Sequence, residues 1–386
     1  MNNLSYLLCR VKPVSLFRNY QKIRQLYSSA SIGVEDYIAA RKRYDENFEL
    51  NASRFRKKMQ EVCRDDAPPT SLIFTEDLKQ MVHIAKDNSE DVELVEKMLS
   101  KFHAQNSHLR FGSYVFGPVV MRMFHYLNKP DEALKAYKDD KMNGFFDQLS
   151  SHIVLMDLLF NNKMYYDVID VYKIMVSKQL SFGTHPKSVM VLVFGAYYKL
   201  NTPEHYDEAV QLFNKLNERG HSPLRRVTTF MAALALNQNN PHLSLEIIST
   251  LPNQLYVLVR CIKALALCNL DRIEDAISVI KTVLKFDAPI QTTHTFPSDV
   301  IEKVGEAVEK SGSKQLMTDY DRICKQLKAQ NHIVEKTLDD LLCSEVVVTP
   351  SVSKTQTTLN IAMDNTHANH KKAVRNYYRP GLEEAV

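Results

Sequence analysis

Two positions four residues apart recur five times along the chain: Ala133/Tyr137, Val168/Tyr172, Ala209/Phe213, Ser244/Ile248 and Ala276/Ile280. Successive offsets are 35, 41, 35 and 32 residues. Four residues is about one helical turn, so each pair marks one face of a helix. A polar turn precedes every pair: Asn128-Lys129-Pro130, Asn161-Asn162-Lys163, Asn201-Thr202-Pro203, the stretch from Asn237 to Pro241, and Cys268-Asn269. The long offset is absorbed mainly by the turn at 201–205, where an insertion costs little. The repeating unit is therefore a helical hairpin. A slim first anchor lets two helices approach, and a larger second one fills the gap. Each hairpin has apolar stripes on two sides and needs its neighbours to bury them. The expected fold is all-α, an α-solenoid of helical hairpins over 73–290.

The ends of the chain read differently. Residues 1–29 contain Arg10, Lys12, Arg18, Lys22 and Arg24 and no acid, with Leu4, Leu7, Leu8, Val11 and Val14 between them. That cationic, amphipathic, serine-bearing composition predicts a mitochondrial targeting presequence over 1–28, removed on import into the matrix. The string Arg24-Gln25-Leu26-Tyr27-Ser28-Ser29 resembles a processing site and places the cut between 25 and 28. Residues 35–66 form a basic helical segment carrying Arg41, Lys42, Arg43, Arg54, Arg56, Lys57 and Lys58, which Pro68-Pro69 ends. Helices expected near 297–310, 314–330 and 334–342 make a C-terminal helical cap over 297–343. The tail at 345–386, rich in Ser, Thr, Asn and His, is expected to be disordered.

Charge follows from this division. The whole chain carries a formal +4, which by itself suggests affinity for nucleic acid. Five of those positive charges belong to the presequence, so the remaining chain is close to neutral, about −1. Phosphate binding would then depend on local patches.

Chemistry is sparse. With 10 glycines in 386 residues, no glycine-rich phosphate loop occurs, nor HExxH, GxSxG or CxxC. The six cysteines show no zinc spacing; Cys261 and Cys268 lie on one helical face as small hydrophobes. Asp139-Asp140 and Asp339-Asp340 are neighbours on a helix and point about 100° apart, so neither pair aims two carboxylates at one metal or proton. No enzyme activity, no metal site and no cofactor is expected. No segment approaches 18 uninterrupted apolar residues, so no membrane span is expected.

The hairpin that ends Lys215-Leu216-Asn217-Glu218-Arg219-Gly220-His221-Ser222-Pro223 resembles the pentatricopeptide repeat, whose second helix commonly closes on Gly followed by Pro. Asp131-Glu132-Ala133-Leu134-Lys135-Ala136-Tyr137 resembles the same helix earlier in the chain. The resemblance implies a non-catalytic factor in maturation, processing or stability of mitochondrial RNA, supporting respiratory-chain function. Its partners would be single-stranded RNA, proteins of RNA processing, or both. The family reads about one base per repeat, with Asn, Ser or Thr usual early in the first helix. The matching positions here are Pro118, Ile153, Val191, Thr229 and Cys261, of which only Thr229 has the chemistry. Arg110, Tyr114, Arg225, Arg226 and Thr229 are the candidate RNA-binding residues, together with the basic segment. Four apolar positions in five, on a near-neutral body, also suit a protein-binding scaffold of a mitochondrial ribosome or processing complex that reads no bases.

Overall fold

The computed structural model describes residues 26–345, apart from 49–50, 65, 67, 69–70, 106–113, 221–222 and 286–294. Of the presequence expected over 1–28, residues 1–25 lie outside the described residues, as do Arg110 and all but the first residue of the tail expected to be disordered over 345–386. Seventeen α-helices make up nearly all the described regular structure. The two strands, β1 (Phe296–Pro297) and β2 (Ile333–Val334), pair in parallel.

The hairpins are α3 (Thr75–Ile84) with α4 (Ser89–Ala104), α5 (Gly117–Leu127) with α6 (Pro130–Lys138), and α7 (Leu149–Asn161) with α8 (Tyr165–Ser177). They continue through α9 (Lys187–Leu200) with α10 (Pro203–Glu218), α11 (Arg225–Asn237) with α12 (Pro241–Ser249), and α13 (Val257–Asn269) with α14 (Ile273–Lys281). All ten anchors are buried. Ser244, the one polar anchor, donates its hydroxyl to the Ala232 carbonyl of its partner helix at 2.9 Å. The α3/α4 hairpin keeps the same spacing with a bulkier first anchor: Met98 and Phe102 are buried in α4, 35 residues before Ala133 and Tyr137, so the repeat extends one unit further than the five pairs.

The turns inside the hairpins share one backbone device. Asn128, Lys163, Asn201, Asn239 and Asp271 adopt positive φ just after a first helix. At four of them the next amide reaches back to a carbonyl in the last turn: Lys129 to Phe124, Met164 to Leu159, Asn240 to Ala235 and Arg272 to Leu267, at 2.8–2.9 Å. This is a left-handed helix stop made with residues other than glycine. Pro130, Pro203 and Pro241 then open the second helix, where a missing amide proton is harmless.

Two layers result. First helices α5, α7, α9, α11 and α13 pack each against the next, and the second helices wedge into the other side of that row. The basic segment is two helices, α1 (Val34–Phe48) and α2 (Ala52–Val62). α1 lies on α3 and α5, and α2 lies on α4. At the far end α15 (Ser298–Lys310) packs on α13 and α14, and α16 (Lys314–Ala329) packs on α14 and α15. The third helix expected there is shorter than its apolar pattern suggested. It is α17 (Leu338–Leu342), because residues 333–334 are drawn into the strand pair.

Candidate nucleic-acid interface

The row of first helices is the surface on which base-reading side chains would stand. Its helices are apolar nearly all round. In α9 every residue from 189 to 197 is buried, and in α11 every residue from 227 to 236. A helix buried on every side has cover on every side. The second helices supply one cover, and two further segments of the chain, 26–33 and 337–345, supply the other.

Residues 26–33 form the first part of that cover. Leu26 and Tyr27 are buried, and the Tyr27 hydroxyl donates to the Ser188 carbonyl of α9 at 2.8 Å. Arg122 of α5 donates its Nε to the Ile32 carbonyl at 2.9 Å. Burial pushes the Tyr27 phenol far above its ordinary range, with the Asp157 carboxylate adding to the rise and Arg226 opposing it. Asp157 is itself sealed inside α7. His125 Nε2 lies 3.0 Å from its Oδ2, and Asn161 donates to the same oxygen at 2.8 Å.

Residues 337–345 form the second part. α17 packs on α11 and α13 and buries Leu338, Leu342 and Cys343. Lys199, at the end of α9, donates to both oxygens of Asp339 at 2.6 and 2.7 Å. Burial alone would lower the Lys199 pKa, but the Asp339 carboxylate outweighs it and the ammonium is held above its ordinary value. Arg226, in the first turn of α11, donates to the carbonyls of Leu341 and Leu342 at 2.8 and 3.0 Å. Asp299 of α15 accepts the Leu338 amide. A cleft of about 600 Å³ remains beside this strap, where Asn237 and Asn269 face Asp299, Lys303 and Lys310. Its mixed charge favours neither an anion nor a cation.

The residues singled out from the sequence fall into three groups. Thr229 is fully buried and its hydroxyl donates to the Arg226 carbonyl at 2.9 Å, so it faces no solvent. Val191 and Cys261 are equally buried, and Pro118 and Ile153 are half-buried. Arg226 is committed to the strap. Arg41 is buried, donates to the His83 carbonyl at 2.9 Å and lies 4.9 Å from the centre of the Tyr126 ring. Arg56 holds Asp91 through two bonds of 2.8 and 2.9 Å, and donates to the Ile84 carbonyl. These two arginines of the basic segment fasten α1 and α2 to the solenoid.

The remaining candidates face outward. Arg54, Lys57 and Lys58 are exposed along one face of α2, at helical spacing, and Lys42 and Arg43 are exposed on α1. Tyr114 is partly exposed, under Lys79 at 4.4 Å and edge-on to Phe116. Arg225 is exposed and stacks on the Tyr256 ring at 3.6 Å, beside exposed Leu224 and Leu255. Lys199 carries no mark in the sequence, Asp339 reads there only as half of an acidic pair, and Tyr27 only as part of a processing string. No local signal marks a pair 140 residues apart.

Among the described residues no three His, Cys, Asp or Glu side chains gather as a metal site, and no helix is long and apolar enough to cross a membrane. Burial keeps the Cys261 thiol protonated and raises Cys268 to about 11, so neither is a poised nucleophile.

The stacked hairpins and their two layers define a helical-repeat solenoid. In sequence the chain is similar to pentatricopeptide repeat-containing protein 2, mitochondrial, of several vertebrates. It is 29% identical to that of Mus musculus over 273 residues, covering 70% of each chain. Against that of Homo sapiens it is 28% identical over 289 residues, 75% of this chain and 72% of the other. Against that of Danio rerio it is 26% identical over 309 residues, 80% of each. No protein-family model matches the chain.

Proposed function

We propose that this chain is a non-catalytic factor of the mitochondrial matrix that acts in RNA maturation, processing or stability and so supports respiratory-chain function. It meets RNA through the outward face of α2, with Arg54, Lys57 and Lys58 on phosphates and Lys42 and Arg43 of α1 beside them. The observation that carries this reading is the division of the cations. Arg41, Arg56, Lys199 and Arg226 are spent inside the fold, while the α2 stripe faces solvent. The similarity to relatives named as mitochondrial pentatricopeptide repeat proteins supports the compartment and the RNA-related role. Base-by-base reading along the first helices is not part of the proposal.

Crosslinking in organelles followed by RNA sequencing tests it. A transcript is expected above background, and changing Arg54, Lys57 and Lys58 together to Ala should abolish its recovery. In vitro, that triple variant should lower the salt slope of single-strand binding by about 2, since each phosphate contact contributes roughly 0.7. Recovery of no transcript overturns direct RNA contact.

A second reading rests on the exposed apolar group of Leu224, Leu255 and Tyr256 with Arg225 stacked on it. Such a patch suits a protein partner, in a processing complex or on the mitochondrial ribosome. Sizing of extract after ribonuclease treatment separates the two: a high-mass complex that persists favours protein contacts.

A further inference from the structure

We propose that the targeting segment is cut off on the N-terminal side of Leu26, and that residues 26–33 are retained as the closing piece of the first-helix layer. The cut rests on the mitochondrial reading above; the docking of residues 26–33 does not.

The packing shows why the boundary falls there. Gly195 sits inside α9, where glycine weakens a helix and needs a reason. A Cβ at that position would lie 3.1 Å from Phe160 of α7 and 3.2 Å from Leu26 Cδ1. The glycine thus makes room for a leucine found 169 positions earlier in the chain. Tyr27 adds its bond to Ser188. The chain then turns tightly: Ile32 donates to Ser28, Gly33 to Ala30 and Val34 to Ser29, and Gly33 takes φ +72°. Arg122 closes over that turn from α5. Two first helices, α5 and α9, therefore hold the residues that begin two positions after Arg24. The bonds on either side of Tyr27 belong to this buried stretch, and a cut at either would remove the leucine that Gly195 admits.

The reaction is ordinary hydrolysis. An endopeptidase of the organelle adds water across the peptide bond that precedes Leu26, or one just upstream. The released segment takes the new carboxylate and the retained chain takes the new ammonium. No other co-reactant is needed. The sequence alone left the cut anywhere between 25 and 28; the packing selects the upstream end.

Import of the full precursor, followed by protease protection and mass analysis of the N-terminal peptide, tests the cut. The expected first residue is Leu26 or one shortly before it. A protected chain that begins at Tyr27 or later, or that keeps residue 1, overturns the proposal. A precursor left outside the organelle overturns the mitochondrial reading and the cut with it. Docking is tested separately in the purified full chain. Leu26→Asp is expected to lower the melting temperature by about 5 °C and Tyr27→Phe by about 2 °C. Should Leu26→Asp fail to fold, Tyr27→Phe alone gives the answer, and an unchanged melting temperature in either variant overturns the docking.

Discussion

The first and second helices of each hairpin share one turn, yet they do opposite work. α10 buries Ala209, Phe213 and Leu216 and leaves its acids in water. Its neighbour α9 buries nine successive residues, 189–197. One is an ordinary amphipathic surface helix and the other is core on all sides. A solenoid layer open on one side presents a groove to a ligand. A layer closed on both sides is interior, and here the chain closes it with its own residues 26–33 and 337–345. The second layer remains the surface. Its ion pairs run from helix to helix: Glu96 with Lys135, Lys138 with Asp167 and Asp170, and Lys173 with Glu208.

Energetic cost should follow that contrast. Phe194→Ala, in the middle of α9, removes a fully buried ring and should cost about 3–5 kcal/mol, measured by denaturant unfolding. A cost below about 1 kcal/mol would mean the first layer is not sealed. Next comes Arg226→Ala, which removes the guanidinium that bridges the Leu341 and Leu342 carbonyls, leaves Leu341 with Ser344 alone, and loosens the strap. About 2–3 kcal/mol is expected, with faster hydrogen exchange confined to residues 337–345 and the first turn of α11.

Acid should weaken the first layer at a smaller scale. Burial lowers the pKa of His152 in α7, with its bond to the Gln148 carbonyl opposing, and burial likewise lowers His83 in α3. Both imidazoles take a proton less readily in the fold than in the unfolded chain, which takes one below about pH 6.5. Stability is therefore fully present above that pH and falls as pH drops below it. His152→Phe should flatten part of the decline between pH 7 and 5, and melting curves across that range check it. The smallest effect belongs to the second layer. Lys173→Ala breaks an exposed pair with Glu208 and should change stability by no more than about 0.5 kcal/mol. A larger loss there would make the ion-pair row structural and blur the contrast between the layers.

Much of the fold was legible in the sequence because hairpin packing is local. Anchors such as Ala209 and Phe213 are buried by helices near in the chain, and the asparagines at 128, 201 and 239 announce their turns by type. A bulky Met98 in place of a slim first anchor hides the α3/α4 hairpin, although Met98 and Phe102 keep the spacing. The candidate site was far less legible. Thr229 carries the right group for a base edge, but it lies within a run of apolar residues that already said the position was interior. Arg226 reads as a free cation until the strap, more than 110 residues away, claims it.

The sequence by itself determined the repeat, the all-helical class, the near-neutral body and the apolar character of the base-facing positions. Each of these depends on residue type and on spacing within a few turns. Only the tertiary structure decided that the first-helix layer is closed, which arginines of the basic segment are structural, and that residues 26–33 belong to the packed fold. Those outcomes depend on residues 26–33 and 337–345 meeting helices far along the chain, and no helical period encodes such a meeting.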